Sequence, residues 1–345
     1  MAALVVVGAV GLFITTKISV DDYAITPGSA TPLGAKISFT PSARVPKGDV
    51  SMVDVNLSQL SYFGLLWADL TGGPTHYTGA QFGFDQHGGL ATYIDQSYLD
   101  MARAKNDAVI AAFTSQHRSF SAAQQGLLVY DRRAHSMLHL GDLIEEVAGT
   151  PVTSVCATAN ALSAGTNPLE LTVAPGKINE RNGEVSFGQP KKVLVSPSLK
   201  SASLSGPDGT PCPGDPKNRY GITELVPTVI PSTTPAVKID SRGIGGPSAG
   251  LAMTLSIADR LAGGAILRGR SIAATGTIDA EGNVGDVGGV AQKTVAVSNA
   301  GLKVFLVPQE ELRVAKAAAP SSLKVIAVST FDEALAALRQ LENKP

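Results

Sequence analysis

The sequence predicts a mixed α+β or α/β protein with an apolar N-terminal segment, a β-rich middle and an α/β C-terminal region. Three observations point there. Residues 2–16 carry no charge and are dominated by Ala, Val, Leu, Ile and Phe. Strand-like runs bracketed by turn residues recur between Ala35 and Val173. From Val237 onward, strand and helix patterns alternate, as they do in α/β and α+β domains. At 345 residues the chain is long enough for two or three small domains. A hydrophobic share of 44% against 17% charged residues permits packed cores and argues against wholesale disorder. The formal net charge of −1, with no basic block, argues against nucleic acid as the main partner.

Taken in order, the chain opens with a helix-length apolar run. Fifteen helical residues span about 22 Å, short of the ~30 Å hydrocarbon core, and a snorkelling Lys17 would extend the run to Val20. Residues 1–20 are therefore expected to form an uncleaved transmembrane anchor. A signal peptide is the alternative; it wants a basic start and a small-x-small site, which Ile14-Thr15-Thr16-Lys17 does not offer cleanly. Residues 21–123 read as a separate α+β region, with strands at Lys36–Phe39 and Val50–Val55. Its helix runs from Ile94 to Arg118 through Tyr98, Met101, Lys105, Val109, Ala112 and Phe113. The aromatic stretch Tyr62 to Leu70, which holds the only tryptophan, Trp67, is expected to be buried. Residues 198–219, rich in Ser, Gly, Pro and Asp, read as a linker or long loop, and a C-terminal domain is expected over 220–345. Cys156 and Cys212 could pair outside the membrane. Neither has metal-ligand spacing, so no metal site and no cofactor is expected.

The chemistry concentrates between Ile244 and Lys293. The run Gly246-Pro247-Ser248-Ala249-Gly250 is a glycine-rich turn entering a helix, with Pro247 suited to its first turn. Leu251, Leu255, Ala258 and Leu261 keep helical spacing, and Gly263-Gly264 is the stop signal. Ser248 thus lies near a helix N-terminus, where free N–H groups favour a developing oxyanion. A serine hydroxyl needs a base. The turn also fits G-x-S-x-G, but that fold places its histidine after the serine. All five histidines (His76, His87, His117, His135 and His139) precede Ser248. A lysine made neutral by burial is the remaining kind of base, and Lys293, after Gly288-Gly289, is the candidate. The Gly288–Thr294 stretch fails the phosphate-loop template, so no nucleotide site is expected.

These residues resemble the proteolytic domain of Lon proteases, the serine–lysine peptidases, over about Val237 to Leu341. The likeness rests on the G-P-S-A-G motif, the Thr275-Gly276 pair and Gly288-Gly289-Val290-Ala291-Gln292-Lys293, in that order. Lys293 follows Ser248 by 45 residues (293 − 248), close to the family's separation. The resemblance implies that Ser248 is the nucleophile, Lys293 the general base and Thr275 the residue that holds the amine. Gly246, Pro247 and Ala249 would form the oxyanion turn. Two positions depart from ATP-dependent Lon, which has acids where this chain has Gly245 and Thr277. The Ile-Gly-Gly-Pro-Ser form is similar to a membrane-anchored bacterial branch that joins PDZ-like and Lon-type domains. That branch implies a single-pass cell-membrane protein with an extracytoplasmic body.

Residues 124–197 resemble a PDZ domain through Gly141-Asp142, Ile144, Val147, Gly149 and Pro151-Val152. The resemblance would make Gly126, Leu127, Leu128 and Val129 the loop that catches a peptide carboxylate. A PDZ-like spacer without a ligand is the alternative. The expectation is a membrane-anchored serine endopeptidase acting on protein or peptide substrates without ATP. Homo-oligomerisation stays open. The alternative is a catalytically inert PDZ-type peptide-binding scaffold.

Overall fold

Strand pairing between distant parts of the chain decides the architecture. The computed structural model describes residues 18–341 apart from 43–44, 74, 83, 85–87, 134–135, 166, 180–182, 198–200 and 205–210. Of the expected anchor over residues 1–20, residues 1–17 lie outside the described residues, as do His87 and His135, while Ser19 and Val20 already belong to a strand that starts at Ser19, which shortens the expected segment at that end. Among the described residues no helix is long and apolar enough to cross a membrane.

The first stretch contains β1 (Ser19–Pro32), β2 (Ile37–Thr40), β3 (Asp49–Ser61), α1 (Tyr62–Thr71), β4 (His76–Thr78) and α2 (Leu90–Ser115). Next come β5 (Phe120–Arg132), β6 (Leu143–Val147), β7 (Thr150–Pro151), α3 (Val155–Ala164), β8 (Leu169–Ala174), β9 (Gly176–Asn179) and β10 (Glu184–Phe187). They are followed by β11 (Lys191–Val195), β12 (Ala202–Ser203), β13 (Lys217–Asn218) and β14 (Ile222–Thr233). The chain then continues through β15 (Ala236–Ile239), α4 (Gly250–Leu261), β16 (Ser271–Ala274), β17 (Thr277–Ile278) and β18 (Val284–Gly285). It ends with α5 (Val290–Asn299), β19 (Val304–Pro308), α6 (Leu312–Ala318), β20 (Lys324–Val328) and α7 (Phe331–Gln340).

One six-stranded sheet has the order β20-β19-β16-β3-β1-β4. Strands β20, β19, β16 and β3 run parallel, and β1 and β4 close the edge antiparallel. Alternate side chains face opposite layers, as the pleat requires. Val50, Met52, Ile272, Ala274, Leu306 and Val328 join one core with α2, α4 and α7. Val53, Ala273, Phe305 and Val307 join the other with α5 and α6. Helix α4 is apolar nearly all round because it is enclosed: every residue from Gly250 to Arg260 is buried.

This sheet corrects the expected division of the chain. Residues 21–123 are not a separate region; β3 is a central strand paired with β16, and β1 lies next to β3. Arg260 on α4 ties the two stretches together. Its guanidinium donates to the carbonyls of Ile37 (2.6 Å) and Gly34 (2.5 Å) and lies 5.5 Å from the centre of the Phe39 ring. Strand β15 pairs with β2, from Ala236 opposite Thr40 to Ile239 opposite Ile37.

Residues 120–233 form an inserted antiparallel sheet, ordered β11-β8-β6-β5-β14, with β7 beside β6. The insert enters and leaves at one place, because Phe120 pairs with Thr233. Two further expectations are corrected here. The stretch expected to be a linker is stapled to the insert: Leu204 and Cys212 are in its core, and Cys212 is disulfide-bonded to Cys156 on α3. Strand β14, expected to open the C-terminal domain, pairs with β5 instead.

The aromatic stretch at 62–70 also differs from expectation. It is a helix, and Tyr62, Phe63, Leu66, Trp67 and Leu70 are all exposed. Ser61 caps its first turn by accepting from the Gly64 N–H (3.1 Å), and Gly72 closes it in the left-handed conformation. The caps let it form without packing its apolar side.

Candidate active site

Ser248 lies in a one-turn 3-10 segment, Pro247–Ala249, that leads directly into α4. Gly246 has φ +83, a conformation that favours glycine, and it turns the chain sharply into Pro247. Its N–H donates to the Ser97 carbonyl of α2 (2.7 Å). A Cβ at Gly245 would overlap Ser97 Oγ, so any side chain there requires the Ser97 hydroxyl to move aside. The serine turn is therefore shaped by a helix from the other end of the chain.

Behind the turn lies Thr275, fully buried at the end of β16. Its hydroxyl donates to the Ser248 carbonyl (3.1 Å), and the Gly276 N–H donates to the same oxygen (2.9 Å). The Leu251 N–H returns a bond to the Gly276 carbonyl (3.1 Å). Three bonds thus stitch the serine turn to the threonine.

Lys293 projects from the first turn of α5, whose N-cap is Gly289. It is 3% exposed, and its amine donates to Thr275 Oγ1 (3.3 Å). The threonine hydroxyl spends its only proton on the Ser248 carbonyl, so its lone pairs are free to accept from the amine. Burial pushes the Lys293 ammonium down to about 8, while the negative charges of Glu311 and Asp54 pull the other way.

Ser248, Ala249 and Lys293 line one cavity of about 500 Å³. Its other walls come from Gly243–Gly245, from Gly28 and Ser29 on β1, from Met52–Asn56 on β3 and from Met101 on α2. Asp54 is held by Ser29, whose N–H and hydroxyl each donate to it at 2.8 Å. The sequence gives no local sign that Asp54, Ser29 or Glu311 belongs to this site. The pairing of Ala274 with Met52 brings Asp54 to the level of the Thr275-Gly276 turn.

The expected peptide-binding loop lies elsewhere and is not a loop. Leu127, Leu128 and Val129 are buried in β5, with β14 on one side and β6 on the other. Gly126 sits there because a side chain would come within 2.5 Å of the Ile144 carbonyl oxygen. A strand paired on both edges has no row of free N–H groups to offer a carboxylate. Among the described residues no three His, Cys, Asp or Glu side chains gather in a way that could hold a metal.

Comparison with known proteins addresses the same region. Residues 241–340 match the family described as the Lon protease (S16) C-terminal proteolytic domain. The chain is 38% identical over 93 residues to the Lon protease of Rickettsia bellii, covering 26% of this chain and 12% of that protein. It is 27% identical over 202 residues to the Lon protease of Helicobacter pylori, covering 56% of this chain and 23% of that protein. The Lon protease of Campylobacter concisus is 36% identical over 94 residues, 26% of this chain and 11% of that protein. The chain therefore matches less than a quarter of the length of each of these relatives. The cavity walls from residues 28–56 and Met101 lie before the family match begins, yet they complete the same pocket. The chain carries a Lon-type (S16) proteolytic domain, the catalytic domain of a serine-type peptidase.

Proposed function

We propose that the chain is a serine endopeptidase in which Ser248 is the nucleophile and Lys293 the general base. The observation that carries this reading is a buried lysine, held down to about 8, that shares a cavity with Ser248 and is tied through Thr275 to the Ser248 backbone. Neutral Lys293 removes the proton from Ser248 Oγ as the oxygen bonds to the substrate carbonyl carbon. The oxyanion is stabilised by N–H groups of the Pro247–Ala249 turn at the positive end of α4. The intermediate collapses, the C–N bond breaks, and the Lys293 ammonium gives its proton to the leaving amine. An ester to Ser248 remains. Lys293, neutral again, takes a proton from water as that water attacks the ester, and Ser248 recovers its hydroxyl when the acid leaves. Thr275 positions the amine: accepting one N–H fixes the nitrogen and leaves its lone pair for the reaction.

The sequence holds no phosphate-loop template, so the reaction is expected to need no ATP from this chain, and substrates would be loose or unfolded segments. The apolar residues 2–16 are read as a membrane anchor. The Cys156–Cys212 disulfide favours an extracytoplasmic body, because such bonds persist in oxidising compartments. The insert is read as a PDZ-like spacer, since β5 is paired on both edges.

The test uses full-length protein and an unfolded protein substrate, with and without ATP. Wild type is expected to cleave equally in both, while Ser248→Ala and Lys293→Arg fold normally and do not cleave. Turnover by either variant would remove the dyad; strict ATP dependence would remove the ATP-independent reading alone.

A further inference from the structure

We propose that α1 is a membrane-contact helix that rests its exposed aromatic face on the lipid surface beside the point where the chain leaves its apolar N-terminal segment. A soluble helix normally turns its apolar side inward. Here Tyr62, Phe63, Leu66, Trp67 and Leu70 are 55%, 36%, 49%, 59% and 75% exposed, and Ala68 is the only buried residue of the helix. At 3.6 residues per turn these five side chains fall within an arc of about 140°, so they form one stripe. Phe63 and Trp67 stack on each other, with centroids 6.3 Å apart and planes 22° apart. By contrast, Tyr23, Phe82, Phe84 and Tyr93 pack their rings together within the fold at centroid distances of 4.9 to 6.1 Å. A contiguous apolar patch of this kind marks a protein or membrane contact.

Position and composition select lipid. The Tyr62 N–H donates to the Ile18 carbonyl (2.9 Å), and Ser19 pairs with Ser61. The helix therefore begins against the residue where the uncharged 2–16 run, followed by Lys17, enters the fold. Ile18 itself is 52% exposed and extends the stripe toward that run. Tyr and Trp together with Phe and Leu are the side chains of the membrane–water interface, where an apolar ring and a polar tip are both satisfied. The only charged residue of α1 is Asp69, and no cation accompanies it on the helix, so contact comes from insertion of the rings and not from attraction to anionic lipid. The proposal rests on the reading of residues 2–16 as an anchor, and adds a second, orienting contact that would hold the catalytic unit at a fixed attitude to the bilayer.

Trp67 is the only tryptophan of the chain, so intrinsic fluorescence reports this helix alone. The experiment places the full chain in phosphatidylcholine vesicles with ordinary or brominated acyl chains, and measures flotation, Trp67 emission and quenching by aqueous iodide. The expected result is flotation, emission shifted to shorter wavelength, loss of emission with the brominated lipid and protection from iodide. Leu66→Ser with Leu70→Ser should still float through residues 2–16, lose the bromine quenching and become open to iodide, while hydrolysing a short soluble peptide as wild type does. Flotation without bromine quenching overturns the helix contact and leaves the anchor standing. In that case shielding from iodide would assign the patch to residues 2–16 or to a second copy of the chain. Failure of the wild type to float overturns both the anchor and the contact.

Discussion

The α/β unit and the inserted sheet differ in how their chains are assembled and in what their interiors hold. The α/β unit is built from two stretches, 18–115 and 236–341, whose strands share one sheet and meet where β3 pairs with β16. It has cores on both faces and buries costly groups: Lys293, Asp259 and Arg260 are all buried. The insert is continuous from Phe120 to Thr233, has a smaller core under one helix, and carries a disulfide. A two-sided core can hold a desolvated amine in place for chemistry. A smaller unit with less apolar burial gains from a covalent clamp. The two units also differ in their polar backbone. The serine turn keeps a helix N-terminus facing a cavity, whereas the middle strand of the insert is paired on both sides.

Four changes break or sharpen this contrast. The largest effect is expected from Lys293→Met, which removes the proposed base and should cut the cleavage rate by about 10⁴-fold or more. The same change should stabilise the fold. An ammonium whose value is about 8 when folded and 10.5 in the unfolded chain costs the folded state below pH 8. That cost is on the order of 3 kcal/mol and fades as pH rises from 8 toward 10.5. Denaturant titrations of both proteins at pH 7 and pH 10 would check this; a Met variant less stable than wild type at pH 7 contradicts it. In wild type the rate should rise with pH through one ionisation near 8, because only the neutral amine is a base. A rate that is flat or peaks in acid would exclude Lys293 as the limiting base.

Next is the clamp. The disulfide links residues 56 apart in sequence. Cys156→Ser with Cys212→Ser should therefore cost the insert about 4 kcal/mol. Calorimetry should show the insert's transition moving down while that of the α/β unit stays; equal movement of both would mean the units do not melt separately.

Thr275→Val comes third. It keeps the volume of the side chain but removes the bond to Lys293 and one of two bonds to the Ser248 carbonyl. The expected loss in kcat is about 10- to 100-fold, from about 1–3 kcal/mol of lost hydrogen bonding, with KM little changed. Single-turnover rates at saturating peptide measure it, and an unchanged kcat would deny Thr275 a positioning role.

The smallest effect should follow from excising the insert. Phe120 and Thr233 are paired neighbours, so residues 121–232 can be replaced by a tight turn. The shortened protein is expected to fold and to cleave a short peptide at nearly the wild-type rate. Loss of that activity in a folded protein would show that the insert contributes to the site directly.

What the sequence determined by itself was local. The glycine and proline pattern at 246–250, helical spacing after Ser248, the stop at Gly263-Gly264 and the Gly288-Gly289 entry to the Lys293 helix depend on neighbours in the chain. Each recurs in the structure within a few residues. The strands at 36–39 and 50–55 were legible for the same reason. Tertiary structure alone decided which strands meet. A strand's alternation shows that it has two faces but not which strand will be its neighbour, so β3 gave no sign that it pairs with β16. That pairing brings Asp54 and Ser29 to the cavity, and the return of β14 onto β5 turns residues 120–233 into an insert. Exposure was undecided in the same way. The apolar stretch at 62–70 has the composition of a core, and only its position at the far end of the antiparallel β1–β3 pair, beside Ile18, leaves it facing outward.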